Sequence, residues 1–106
     1  MIDHRKNTVV RLQYWYKAQC NEDWEHNYGI TINNIDNPGW LVEIDLQDTQ
    51  LYDKPFQKID VQRKQESDWF VCERNRGQFI GYCGPNNLDE LLGCFLDWAE
   101  SFNEPL

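Results

Sequence analysis

The sequence lacks any apolar run long enough to cross a lipid bilayer. No window of its 106 residues approaches the roughly 20 consecutive apolar residues that a membrane-spanning helix needs. The charged start, Met1 to Lys6, is not followed by the apolar core of a signal peptide. We therefore expect a soluble protein of the cytoplasm with no membrane partner.

The sequence also lacks Pro-rich or Ser-rich linkers, low-complexity tracts and internal repeats. A chain of 106 residues has the length of one ordinary domain, and 41% hydrophobic residues supply enough material for one core. We predict a single domain over residues 1–106, with an ordered core at about 8–102.

Basic residues are few. Ten lysines and arginines stand against 18 acids, which gives a formal net charge of -8. Such a chain repels phosphate, and this argues against a nucleic-acid partner. Up to Cys20 four bases stand against one acid, whereas the segment from Asn21 to Asp60 has nine acids and two bases. The acidic excess is typical of a solubilising surface, or of a surface that binds a basic protein.

Motifs that carry chemistry are scarce. The four cysteines have no Cys-x-x-Cys spacing, so we expect no zinc site; we interpret Cys72 and Cys94 as small buried hydrophobic residues in a reducing compartment. The only serines, Ser67 and Ser101, have no recognisable catalytic setting, and no glycine-rich stretch ends in Gly-Lys-Ser/Thr. The sequence therefore predicts no catalytic residue, no cofactor and no bound metal.

Hydrophobic periodicity predicts an α+β fold in the order α-β-β-β-β-β-α. Apolar residues recur at helical spacing from about Thr8 to Cys20 and again from Leu88 to about Phe102. Between them lie five strand-like segments, separated by short turns that favour an antiparallel sheet. We predict one two-layer domain, with the N-terminal and the C-terminal helix packed on the same face of the sheet.

Local signals refine this prediction. In the first helix, apolar residues recur at Val9, Leu12, Trp15, Tyr16 and Ala18, and most of them are expected along one side; Asn7 or Thr8 can cap its start. The segment Asp36-Asn37-Pro38-Gly39 predicts a tight turn in which Gly39 can adopt a positive φ. Asn87 and Glu90 have the spacing of a capping box before the last helix.

Strand alternation assigns some side chains to a face. Trp40, Val42, Ile44 and Leu46 are expected inside, with the carboxylates of Glu43 and Asp45 outside. The segments 69–72 and 79–82 are apolar on both faces, so the sequence leaves their inward parity open.

One polar segment, residues 20–26, combines a thiol, three carboxylates and an imidazole. Glu25 beside His26 offers an acid and a base, which would suit a small enzyme or a ligand-binding protein. The alternative is a hydrogen-bonded corner or a partner-binding loop, because adjacent side chains rarely converge on one substrate. Trp24 is interpreted either as a core side chain or as an exposed anchor among carboxylates.

Several motifs together resemble the immunity protein 53 family. The most specific are the run Asp23-Trp24-Glu25-His26-x-Tyr28-Gly29 and the run Asp36-Asn37-Pro38-Gly39-Trp40. Trp15-Tyr16, Gln19-Cys20-Asn21, Ile44-Asp45-Leu46 and Gly84-Pro85-Asn86-Asn87-Leu88 extend the resemblance over nearly the whole chain. The sequence departs from the family pattern at Glu22, where a small residue is expected, and at Asn34, where a threonine is expected.

The resemblance implies an antitoxin of a bacterial polymorphic toxin system. Such a protein has no enzyme activity; it binds and blocks the toxin domain encoded beside it. The acidic composition is compatible with a basic, nuclease-like toxin as partner, and we expect a monomer or a weak homodimer. The residues predicted to bind the toxin are Glu22, Asp23, Trp24, Glu25, Glu43, Asp45 and Asp48.

Overall fold

The part of the chain that the structure describes forms one five-stranded sheet and three helices. The computed structural model describes residues 7–103; residues 1–6 and 104–106 of the predicted domain lie outside the described part. The helices are α1 (Thr8–Gln19), α2 (Trp24–Asn27) and α3 (Leu88–Glu100). The strands are β1 (Ile30–Ile35), β2 (Gly39–Asp45), β3 (Ile59–Gln62), β4 (Trp69–Asn75) and β5 (Gln78–Cys83).

All neighbouring strands are antiparallel, in the spatial order β1-β2-β5-β4-β3. Two hairpins, β1-β2 and β4-β5, therefore meet along β2 and β5 at the centre of the sheet. The predicted α+β class and the predicted sheet of five antiparallel strands are confirmed. The four-residue helix α2 was not predicted, because one helical turn is too short to show a hydrophobic period.

The core lies between the sheet and α3. The predicted inward residues of β2 are confirmed, since Val42, Ile44 and Leu46 are fully buried. The parity that the sequence left open is now fixed: Phe70 and Cys72 of β4, and Phe79 and Cys83 of β5, are buried on the same side. Gly81 lies on that side too, and a Cβ there would come within 2.7 Å of the side chain of Leu91 in α3. The glycine therefore lets α3 approach the sheet closely.

The first helix packs differently from the prediction. Its buried residues are Thr8 and Arg11, with Leu12 and Trp15 partly buried against the core, whereas Val9 is 62% exposed. Tyr16 and Ala18 are also exposed, so only two of these five apolar residues, Leu12 and Trp15, face the core. The reason is a buried arginine, which periodicity assigns to the solvent. Arg11 donates to Asp97 and Glu100 of α3 over 2.8–3.0 Å.

The cap predicted for the start of α1 is confirmed, whereas the capping box predicted for α3 is not. Asn7 caps α1 as predicted, because its side-chain oxygen accepts from the amide of Val10 at 3.1 Å. The capping box predicted at Asn87 and Glu90 is wrong. Asn87 makes no side-chain cap bond; its amide donates to Asp68 at 2.9 Å and its oxygen accepts from the amide of Trp69 at 3.4 Å.

The β1-β2 turn is confirmed, but its glycine acts in another way than predicted. None of the glycines among residues 7–103 has a positive φ, so Gly39 is not needed for a left-handed backbone. A Cβ at Gly39 would instead collide with the carbonyl oxygen of Cys83 in β5. Glycine is required here by the close approach of two strands.

Candidate functional site

The carboxylates predicted to bind a partner lie in two regions of the surface. Glu22, Asp23 and Glu25 belong to the segment that joins α1 to β1, while Asp48 belongs to the turn after β2. Glu43 and Asp45 lie in β2 and point away from the helices, in alternation with the buried Val42 and Ile44. The fold thus brings the candidates together as two neighbouring groups rather than as one cluster.

The segment between α1 and α2 is held by its own polar side chains. The side-chain oxygen of Asn21 accepts from the amides of Asp23 at 3.0 Å and Trp24 at 2.8 Å. The carboxylate of Glu25 accepts from the amides of Asn21 and Glu22 at 2.9 Å each, and Glu22 has a φ of 74°. Backbone amide hydrogen bonds, first from Glu25 itself and then from Asn21 and Glu22, lower the pKa of the Glu25 carboxyl.

Trp24 is a core residue and not an exposed anchor, which corrects its proposed place on the binding surface. Its side chain is only 2% exposed, and its ring lies edge-on to that of Trp15, with centroids 6.1 Å apart. The indole Nε1–H donates to the carbonyl oxygen of Gln47 at 2.8 Å. Because Gln47 precedes Asp48, this bond ties the acidic segment 21–25 to the turn that carries Asp48.

Asp45 holds the fold together at one end of β2. One carboxylate oxygen accepts from the amide of Gly29 and the other from the side-chain amide of Gln78, both at 2.9 Å. Glu43, two residues earlier on the same face, forms no side-chain hydrogen bond or ion pair with residues 7–103. The two neighbouring carboxylates therefore differ: Asp45 is positioned by the chain and Glu43 is available to a partner.

The corner of Glu25 and His26 lacks two features expected of an acid and base pair, a carboxyl with a raised pKa and an enclosing cavity. A general base is usually tuned toward neutral pH, but the pKa of Glu25 is lowered by the amides that its carboxylate accepts from. His26 is exposed in α2. Neither residue lines the cavity of about 390 Å³ between α1 and α3.

Other acidic residues are engaged by arginines. Arg63 pairs with Asp68 at 3.0 Å and Glu90 at 2.6 Å, and Arg11 pairs with Asp97 and Glu100. The hydrogen bond from Asn87 lowers the pKa of Asp68, with Arg63 adding to the effect, and Arg63 lowers the pKa of Glu90. These four carboxylates are partly neutralised within the chain and add little to an acidic binding surface.

A surface that the sequence did not reveal is the side of the sheet away from the helices, here called the outer face. Its centre is formed by Leu41, Val71, Ile80 and Tyr82, and its carboxylates are Glu43, Asp45, Asp60 and Glu73. The signal was present as the alternation of buried and outward residues in β4 and β5, but in the segments 69–72 and 79–82 both sets are apolar. Only the position of α3 distinguishes the two faces.

Within residues 7–103, no three His, Cys, Asp or Glu side chains converge as metal ligands would. None of the helices described is both long and apolar enough to cross a membrane.

The fold and these surfaces define a small α+β protein with unpaired carboxylates on an open sheet face. The family model described as Immunity protein 53 matches residues 9–100, and the chain belongs to this family. The resemblance stated from the sequence motifs is thereby confirmed. No curated protein and no solved structure gives a significant match.

Proposed function

We propose that this protein is an antitoxin that binds and neutralises a cognate toxin domain encoded by a neighbouring gene. Membership of the immunity protein 53 family, over residues 9–100, is the observation that carries the proposal. The proposed setting is the bacterial cytoplasm, within a polymorphic toxin system. The protein acts by occupying its partner and has no enzyme activity of its own.

The proposed partner presents a basic surface, as a nuclease-like toxin would. The formal net charge of -8 supports this, because an acidic protein attracts a basic one and accelerates their encounter. The carboxylates proposed to face the toxin are Glu22, Asp23, Glu25, Glu43, Asp45 and Asp48. Trp24 contributes indirectly, by holding the first three of these next to the turn that carries Asp48.

We also propose that residues 1–106 form a single domain that is a monomer or a weak homodimer. The continuous sheet and the one hydrophobic cluster between the sheet and α3 support the single domain. The carboxylates of the outer face support the monomer, because like charges oppose close association of two copies.

The experiment that tests the function is co-purification with the product of the gene immediately upstream, followed by affinity measurements at two salt concentrations. We expect a tight complex that weakens as salt rises, and survival of cells that co-express both genes. A toxic product that neither binds this protein nor loses its toxicity would contradict the proposal. Attention would then turn to ligands of the Glu25 and His26 corner.

A further inference from the structure

We infer that the toxin docks on the outer face of the sheet, with Tyr82 at the centre of the contact and Glu43 and Glu73 beside it. The partner surface that fits is a small apolar area ringed by arginine or lysine. This inference rests on the proposed function and adds to it the surface and the chemistry of the contact.

None of the three helices described covers the outer face. They belong to the other side: α3 contacts β4 and β5 through buried residues, Leu12 and Trp15 of α1 join the same core, and Trp24 of α2 packs against Trp15. On the outer face Tyr82 is 44% exposed at the centre of the sheet. Apolar surface left open in the middle of a sheet is typical of a binding site.

The apolar residues at the centre of the outer face lie next to one another. Strand register puts Leu41 opposite Tyr82, and Tyr82 opposite Val71, so the three form a row across β2, β5 and β4. Ile80 lies on β5 next to this row, two residues before Tyr82. An aromatic ring flanked by aliphatic side chains on rigid strands is a preformed anchor, because little conformational entropy is lost on binding.

The outer face also carries negative charge beside its apolar centre. Glu43 and Glu73 lie on either side of Ile80 in directly opposed strand pairs. Neither carboxylate forms an ion pair or a side-chain hydrogen bond with another described residue. Within the strands, the outer face carries four carboxylates and no lysine or arginine. The face therefore attracts cations at its apolar centre.

The charge of the outer face favours a basic protein over a second copy of this chain as its partner. A second copy of this chain would bring identical carboxylates together across a two-fold axis, which costs free energy. A basic protein has no such penalty. Arginine suits this face best, because its guanidinium can stack on the ring of Tyr82 and pair with the carboxylate of Glu43 or Glu73.

The test measures the affinity of the catalytically inactivated product of the upstream toxin gene for variants of the outer face. Glu43→Lys with Glu73→Lys is expected to raise Kd at least about tenfold and to reduce its salt dependence. Tyr82→Thr is expected to raise Kd at least about tenfold while leaving the salt dependence unchanged, since threonine suits a strand and only the ring is lost.

The matched control is Asp53→Lys with Asp89→Lys. Both residues are exposed and lie in the loop after β2 and at the start of α3, outside the outer face. Each pair exchanges two acids for two bases, so both variants change the net charge of -8 equally. We expect the control to keep Kd within about threefold, with the difference coming from long-range charge alone.

Circular dichroism and a thermal melt verify that each variant is folded. If the lysine pair fails to fold, Glu43→Gln with Glu73→Gln removes the charge with little change of shape and takes its place. Tight wild-type binding with unchanged Kd in the outer-face variants would overturn this inference and leave the antitoxin function intact. A free protein that forms a dimer broken by Tyr82→Thr would also overturn it. No wild-type binding would overturn both proposals.

Discussion

Single residues that look functional in the sequence are in part committed to the fold. Glu25 accepts backbone amides, Asp45 joins Gly29 to Gln78, and Trp24 donates to Gln47. The side chains of these three residues are therefore held in fixed positions by hydrogen bonds within the chain. Substituting these residues would change folding and binding together, so Glu43 is a better probe of the surface.

Replacing Trp24 by phenylalanine tests its bracing role. The change keeps an aromatic ring in the core but removes the Nε1–H that bonds Gln47. We expect the free energy of unfolding to fall by about 1–3 kcal/mol, because the lost hydrogen bond is combined with a smaller ring in a packed site. Urea denaturation followed by circular dichroism measures this. An unchanged stability would show that the bond does not brace the acidic segment.

Alanine is expected to have opposite effects on stability at two glycines, Gly39 in β2 and Gly93 in α3. Gly39→Ala drives a Cβ against the backbone of Cys83, so we expect a loss of more than about 2 kcal/mol. Gly93→Ala lies inside α3 with no atom within 4 Å of the new Cβ, and a gain of about 0.5–1 kcal/mol is expected from helix propensity. Thermal melts of the two variants would contradict this account if both were destabilised.

At the scale of elements, α1 is attached to α3 by a buried arginine as well as by apolar contacts. The side chain of Arg11 is 7% exposed and forms ion pairs with the carboxylates of Asp97 and Glu100. Trp15 packs edge-on against Phe95 one turn further along α1. The two helices that end the sequence are thereby joined, although the residues concerned are far apart in the chain.

Arg11→Ala is expected to lower the free energy of unfolding by about 1–3 kcal/mol. The variant loses the buried stem of the arginine and its hydrogen bonds, while the exposed partner Asp97 limits the electrostatic loss. Arg11→Lys keeps the charge but not the two-pronged contact with Glu100, so a smaller loss is expected. Chemical denaturation compares the two, and equal losses would contradict the importance of the guanidinium geometry.

At the scale of the whole molecule, the distribution of paired and unpaired carboxylates determines how the protein responds to pH. Asp68 and Glu90 have lowered pKa values, through Asn87 and Arg63, and Glu25 has a lowered pKa through backbone amides. A carboxyl whose pKa is lower in the folded than in the unfolded state stabilises the fold when ionised. That stabilisation is complete above the unfolded values, 3.8 for Asp and 4.5 for Glu, and is lost as pH falls below them.

We therefore expect a modest fall of the melting temperature as pH is lowered below about 4.5, because Asp68 and Glu90 are 40% exposed and solvent screens their ion pairs. Arg63→Gln should lower the melting temperature at pH 7 and flatten this dependence, because Asp68 and Glu90 lose the cation that lowers their pKa values. Melts of both proteins between pH 3 and pH 7 measure the effect. Parallel curves would show that the Arg63 cluster does not contribute to stability.

Local patterns in the sequence are sufficient to predict the class of fold, most of its helices and strands, and the family. Periodicity within ten or so residues is enough to predict α1, α3 and the strands, and the inward side of β2 follows from its alternation with polar residues. The motifs around residues 23–29 and 36–40 are local strings as well, and they carried the resemblance.

Tertiary structure decided which of these side chains are available to a partner. The burial of Arg11, the brace at Trp24 and the role of Asn87 depend on residues from 18 to 89 positions away. In the segments 69–72 and 79–82 both faces are apolar in sequence, and the packing of α3 on one face leaves Tyr82 exposed on the other. Long-range contacts have no local period, so the candidate surface could be recognised only once the chain was folded.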